Sequence, residues 1–247
     1  EVMVMITFAQ ISEVGERQIN EDSVGFVNIG PETGLFILAD GLGGHGRGED
    51  ASALIKEVSE EVFRSGYREK DCLMRCFEIS QERLMEKQQT ENAKEDLKST
   101  LVLLSVCGGV IRWGHVGDSR LYYFENNRMA ERTLDHSVPQ MLVNAGEIRE
   151  KEIRHHPDRN RLLRVMGMEW DSPQYQLSSK IPVGERQSFL LCSDGFWENI
   201  TENQMEACLK KASDVRDWLR RMERIVSANG KGTVSYTHLR AHETAAN

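Results

Sequence analysis

The acidic residues with a chemical reading in this chain are the ones that stand where apolar runs end. Glu21 and Asp22 precede the run that begins at Val24, and Asp40 closes Leu35-Phe36-Ile37-Leu38-Ala39. Asp118 follows Trp113-Gly114-His115-Val116-Gly117, and Asp194 follows Phe189-Leu190-Leu191-Cys192-Ser193. A carboxylate at the mouth of a buried strand is expensive to desolvate unless a cation or hydrogen bonds compensate it. Glycine beside three of them, at Gly41, Gly117 and Gly195, lets backbone approach a ligand closely. Oxygen donors of this kind, with no paired Cys/His cluster, select Mg²⁺ or Mn²⁺ over zinc. Asp-Gly is also a common turn, so each site alone is a weak signal and the set is the argument.

The elements that must position these carboxylates alternate in blocks. Strands are predicted at Val2–Phe8, Val24–Ile29 and Leu35–Ala39. Two helices follow, Ala53–Phe63 and Asp71–Met85, each with apolar residues on one stripe. Strands return at Ser99–Cys107, Val110–Val116 and Arg120–Phe124, the first two joined across Gly108-Gly109 as a hairpin. A polar stretch runs to residue 160. Further strands are predicted at Tyr175–Ile181 and Gln187–Cys192, then two helices. Thr201 with Gln204 is a capping box for the first of these, and Ser213 is the expected cap of the second, which carries Val215, Trp218, Leu219, Met222, Ile225 and Val226. Strands, helices, strands, helices is an α+β order, not the alternation of a parallel sheet.

Composition limits the function classes. The 247 residues are 39% hydrophobic and 28% charged, enough apolar content for a substantial core. A net charge of -8 argues against general nucleic-acid binding. No apolar run reaches the roughly 18 residues of a membrane span, and the first ten residues lack a basic leader with an apolar stretch. Five cysteines, an odd number, fit reduced thiols in a cytoplasmic protein. Cys72 and Cys76, four apart on a helix with no second pair, read as core residues, as do Cys192 and His115.

Taken in order, Arg17-Gln18-Ile19-Asn20-Glu21-Asp22, Ala39-Asp40-Gly41-Leu42-Gly43-Gly44-His45, Ser99-Thr100, Val116-Gly117-Asp118-Ser119-Arg120 and Cys192-Ser193-Asp194-Gly195 resemble the metal-dependent protein phosphatases of the PP2C type, in their bacterial form. The likeness runs from about residue 8 to 232, and the stretch from Asp135-His136-Ser137 through Gly146, His156-Pro157 and Arg159-Asn160 resembles the family's flap. It implies a four-layer sandwich, two central antiparallel β-sheets flanked by α-helices. It also implies two Mn²⁺ or Mg²⁺ ions, or three, held by Glu21, Asp22, Asp40, the carbonyl of Gly41, Asp118 and Asp194. By the same likeness Arg17 holds the substrate phosphate, and Arg17, Asp22, Asp40 and Asp194 form the catalytic set. The implied reaction is hydrolysis of phosphoserine and phosphothreonine in proteins by a hydroxide bridging the ions. The implied partners are phosphoproteins, a Ser/Thr kinase and its targets; the implied state is a monomer. His45 is set three residues beyond the position of the histidine in animal members, which favours a turn or supporting role over that of general acid.

The C-terminus departs from the family. Asn229-Gly230-Lys231-Gly232 arrives on schedule, but Thr233 to Asn247 holds no Asp and no clear apolar alternation, where the family has an Asp-Asn pair and a last strand. Val234 through Thr244 reads as an in-frame translation of a sequencing-library adapter. The expected organisation is therefore a phosphatase domain over 1–232, cut before its last strand, with a non-native tail over 233–247; Met3 and Met5 are candidate initiators. A catalytically impaired, phosphatase-like binding or regulatory module is the alternative function, and the retained set Arg17, Glu21, Asp22, Asp40, Asp118 and Asp194 weighs against it.

Overall fold

In the strand Thr33–Leu42, Leu35, Ile37 and Ala39 pack with one apolar cluster and Phe36 and Leu38 with another, so alternate residues of one continuous apolar run serve two cores. The same division splits Leu121 and Tyr123 from Tyr122 and Phe124, and Phe189 and Leu191 from Leu190 and Cys192. Strands buried on both faces need a layer on each side, and a four-layer arrangement follows. The structure, a computed structural model, describes residues 3–13, 19–42, 47–94, 96–229 and 234–244, with the backbone alone for 3–5 and 234–244.

The elements in chain order are β1 (Met3–Glu13), β2 (Asp22–Gly30), β3 (Thr33–Leu42), α1 (Gly48–Gly66), α2 (Cys72–Glu91), β4 (Lys98–Ser99), β5 (Leu101–Cys107), β6 (Val110–Val116), β7 (Arg120–Glu125), β8 (Arg128–Arg132) and α3 (Val138–Asn144). A 3₁₀ turn at Glu150–His155 precedes β9 (Gln176–Leu177), β10 (Ile181–Pro182), β11 (Gln187–Cys192), α4 (Asp194–Trp197), α5 (Glu202–Lys211), α6 (Val215–Asn229) and β12 (Val234–Thr244). One sheet runs β1-β12-β11-β7-β8 and the other β10-β6-β5-β3-β2, with β4 on β3 and β9 on β6. Every pairing is antiparallel.

Phe36, Leu38, Val102, Leu104, Trp113, Phe189 and their neighbours fill the space between the sheets. Helices α1 and α2 cover the outer face of the β3-containing sheet through Ile55, Val62, Phe63, Phe77 and Leu84. Helices α5 and α6 cover the other sheet through Met205, Leu209, Trp218 and Met222. Burying each such side chain contributes about 1.5–3 kcal/mol. No described helix is long and apolar enough to cross a membrane.

The expected α+β sandwich is what forms, with local differences. The polar stretch before residue 160 is not a simple loop: it contains β8, α3 and the 3₁₀ turn, whose short lengths leave little periodicity to read. Tyr175–Ile181 is not one strand; it contributes only the short β9 and β10 to the rim of β6. The Thr201–Gln204 capping box is present. The cap of α6 is Asp214, which accepts from the Asp217 amide at 2.8 Å, and Ser213 instead supports Asp214 at 3.3 Å. The largest correction concerns the missing last strand. Val234–Thr244 is a strand, inserted between β1 and β11 with Phe8 opposite Leu239 and Leu191 opposite Thr237. A gap between two strands offers unpaired N–H and C=O groups on both sides, and main-chain pairing fills it without an apolar alternation.

Candidate metal centre

β2 and β3 are in register with Asp22 opposite Asp40. Directly paired residues share a face and hold their Cβ atoms about 4.5–5.5 Å apart. That face is the inner one, since Phe36 and Leu38, four and two residues before Asp40, pack between the sheets. The two carboxyls therefore meet at the open end of the sandwich. The opposite sheet supplies Asp194 just beyond β11, and the β6–β7 connection supplies Asp118. Ser193 spans the mouth, its hydroxyl donating to Asp22 Oδ2 at 2.9 Å.

The backbone of Asp40 is fixed on both sides. Its amide donates to Thr100 Oγ1 at 3.0 Å, and its carbonyl accepts from the Thr100 amide at 2.8 Å and the Ser99 hydroxyl at 2.9 Å. Thr100 in turn bonds Ser119 at 2.7 Å, tying the Asp40 and Asp118 segments together. Gly41 is where close approach forbids a side chain: its amide bonds the Glu21 carbonyl at 3.0 Å, and a Cβ would stand 2.1 Å from the Gly48 carbonyl oxygen. Glu21 Oε1 and the Gly41 carbonyl lie 2.7 and 2.9 Å from the point where a side chain on Gly48 would start, so they share one small space. Gly117 has φ +102°, a conformation that favours glycine, and it turns the chain to present Asp118. Trp197 Nε1 donates to the Asp118 carbonyl at 2.9 Å.

Electrostatics follow from this crowding. Asp40 is 6% exposed, and burial, then the charges of Asp22, Asp194 and Asp118, and a hydrogen bond with Asp22, push its carboxyl well above the usual range. Burial and Asp194 push Asp118 up in the same way. Carboxyls brought together in low dielectric must share protons or a cation. Here Asp22 and Asp40 share a hydrogen bond, and among the described residues no three His, Cys, Asp or Glu side chains stand close enough together to hold an ion as placed. The donor set nevertheless fits a hard divalent cation. It is all oxygen, buried and mutually repelling, so a 2+ charge would replace the shared proton and relieve every one of these repulsions.

The site thus brings together Asp22, Asp40, Asp118 and Asp194, with Glu21 and the Gly41 carbonyl at its edge. Arg17 and His45 lie outside the described residues. His115 is a core residue as expected: it is 4% exposed, donates from Nε2 to the Leu134 carbonyl at 2.8 Å, and is held below its ordinary pKa by burial. The sequence reading missed its partner. His136 stacks on it with centroids 4.8 Å apart and accepts from the Gly117 amide at Nδ1, 3.2 Å. His136 also ties the flap to the site, through its amide on the Gly117 carbonyl and its carbonyl under the Leu163 amide. The ion pair of Arg120 with Asp135, two contacts at 2.7 Å, was missed as well, because partners 15 residues apart leave no periodic signal.

Two helix-covered antiparallel sheets with acidic residues converging at one end define an α+β sandwich with a candidate cation site. The description "Protein phosphatase 2C" matches residues 11–241, and the chain belongs to that family. It is 32% identical over 207 residues to a serine/threonine phosphatase Stp of Listeria innocua, covering 78% of this chain and 79% of that protein. The crystal structure of the serine/threonine phosphatase Stp1 from Staphylococcus aureus superposes with a TM-score of 0.86 at 26% identity, over 96% of this chain and 95% of that one. The catalytic domain of the serine/threonine protein phosphatase PstP, in complex with two manganese ions, shares the fold at a TM-score of 0.81 and 24% identity, over 97% and 99% of the two chains. The chain is a protein-serine/threonine phosphatase of the PP2C type.

Proposed function

We propose that this chain removes phosphate from phosphoserine and phosphothreonine in proteins with two Mn²⁺ or Mg²⁺ ions, or three, held by Glu21, Asp22, Asp40, the Gly41 carbonyl, Asp118 and Asp194. The observation that carries this reading is the burial of Asp40 against Asp22, Asp194 and Asp118. The two manganese ions of the PstP catalytic domain support the metal assignment. Divalent ions at such a site supply a water acidic enough to attack phosphorus near neutral pH.

The residues have separate tasks. Asp40 lies where both sheets converge and is the natural shared ligand. Asp22, fixed by Ser193, gives up its proton contact with Asp40 when cations enter. Asp194 raises the pKa of Asp118, and the two would share a further cation. Arg17 is assigned to the substrate phosphate by family likeness, since a guanidinium fork matches two phosphate oxygens and keeps its charge. In the reaction a water oxygen bonds to phosphorus, the bond to the serine or threonine oxygen breaks, and that oxygen takes a proton. No phosphoenzyme is required.

The reading extends to a cytoplasmic monomer acting on the targets of a Ser/Thr kinase. Residues 233–247 are read as a non-native tail, of which Val234–Thr244 supplies backbone to the sheet, and the tail holds no Asp to match the family's last metal ligand. The test is hydrolysis of p-nitrophenyl phosphate against Mn²⁺ concentration, for this chain and for a version whose tail is replaced by an Asp-Asn-plus-strand ending. Turnover abolished by EDTA, with a lower Mn²⁺ requirement in the replaced version, is the expected result. A folded, Mn²⁺-binding replaced chain without turnover would favour the binding-module alternative.

A further inference from the structure

On the opposite face of the same sheet end, away from the carboxylate cluster, lies a cavity of about 480 Å³ between β8, the 3₁₀ turn Glu150–His155 and the start of α5. Arg120, Met129, Glu150, Lys151, Arg154 and Glu202 are among the residues that line it. Its charges do not cancel one another evenly. Arg120, 2% exposed, is saturated by the bidentate pair with Asp135. Glu150 is engaged by Arg132 at 2.6 Å. Glu202 accepts from Arg154 at 2.5 Å and from the Tyr122 hydroxyl at 3.3 Å.

One cation is left over, Lys151, which has no ion pair among the described residues. Arg154 is paired with Glu202, yet its side chain, only 10% exposed, keeps one guanidinium nitrogen, Nη1, buried without any hydrogen-bond partner among the described residues. A buried charged donor with no acceptor is costly. An incoming oxyanion is the acceptor that a guanidinium fork fits best.

We propose that this cavity is a second anion site, distinct from the metal centre, which takes a phosphate or carboxylate group of a small organic anion on Arg154 and Lys151. The volume lies within the range of small-molecule pockets and exceeds the needs of a bare phosphate ion. The Trp197 ring, packed against both guanidinium groups, explains why Arg120 and Arg154 can sit side by side. The guanidinium carbon of Arg120 lies 3.5 Å from the Trp197 ring centroid and that of Arg154 lies 5.8 Å from it, so the indole face stabilises both. The same indole donates to the Asp118 carbonyl, which places a bound anion one side chain away from the acidic cluster and gives an optical reporter at the site. The inference does not rest on the phosphatase reading.

The test is titration of the full chain with inorganic phosphate and, separately, with citrate, followed by calorimetry and indole fluorescence in EDTA and again with Mn²⁺. Saturable binding of either anion in EDTA is expected, weakened about tenfold or more by Arg154→Leu, the loss typical of one charge-assisted contact. Lys151→Gln is expected to weaken it less, and Arg17→Ala or Asp40→Asn not at all. Glu202→Gln is the second variant: it keeps both donors, releases Arg154 from its internal carboxylate, and is expected to tighten binding. Binding of phosphate alone assigns a phosphate ester, and binding of citrate alone assigns a carboxylate. Binding that needs Mn²⁺ or Arg17 and ignores both Arg154→Leu and Glu202→Gln would overturn the proposal. So would no binding of either anion up to about 10 mM, the weak limit of a useful site.

Discussion

Asp40 and His136 show how far single residues are pushed by their surroundings. Asp40→Asn keeps the shape and deletes the charge that burial, Asp22, Asp194 and Asp118 all oppose. Its expected effect is a loss of Mn²⁺-dependent turnover by about 10²-fold or more, the scale of several kcal/mol of metal-ion catalysis, with no loss of thermal stability in EDTA. Steady-state rates and melting curves on the same preparation check both halves. His136 is pushed down to about 3, by burial first and then by the field of His115 and Arg164. Between that value and about 6.5 the unfolded chain holds a proton that the folded chain lacks, so stability is full above about pH 6.5 and falls as pH drops through this window. Each such proton contributes a slope of about 1.4 kcal/mol per pH unit. His115, also held low by burial, adds a slope of the same sign. Urea unfolding between about pH 5 and pH 7 is expected to show a shallower slope for His136→Gln than for the parent chain.

At the scale of elements, the site depends on fixed connections between segments far apart in sequence. Arg120 at the start of β7 and Asp135 before α3 are both nearly fully buried, at 3% and 1% side-chain exposure. Asp135→Asn leaves the Arg120 charge uncompensated against Trp197 and is expected to cost about 3–5 kcal/mol, read as a lower urea midpoint with an unchanged slope. Gly41→Ala drives a Cβ into the Gly48 carbonyl, backbone against backbone, so β3 and the start of α1 must separate. Loss of Mn²⁺ affinity together with a lower melting temperature is expected, in contrast to Asp40→Asn. The sequence showed long elements and their polar ends well. Leu35–Ala39 and Phe189–Cys192 are apolar on both faces, which marks central strands, and the carboxylates that follow them are the ones the fold gathers. The start of α1 was placed late, at Ala53 in place of Gly48, because its first turn carries Glu49 and Asp50, which complete no apolar stripe. Contacts that pair distant residues, such as His115 on His136 or Ser193 on Asp22, leave no trace in local pattern. The strand at Val234–Thr244 was missed for a related reason: it is held by its neighbours' main chains.

At the scale of the whole molecule, the two sheets act as one frame that holds negative charge in place before any cation arrives. Each sheet brings part of the proposed ligand set, Asp22 and Asp40 from one and Asp194 from the other, so a bound ion would clamp the sheets together at their open end. Ligand binding to the folded state alone stabilises it by about 2.7 kcal/mol at a hundredfold excess over Kd. Mn²⁺ is therefore expected to raise the melting temperature of this chain and not that of Asp40→Asn, by scanning calorimetry with and without EDTA. The most direct measurement is release of phosphate from a phosphothreonine peptide by the full chain and by Asp40→Asn, each with Mn²⁺ and with EDTA. Release by the full chain in Mn²⁺ only, and by the variant in neither condition, is the expected result. Release that persists in EDTA or in the variant would contradict hydrolysis at this carboxylate cluster.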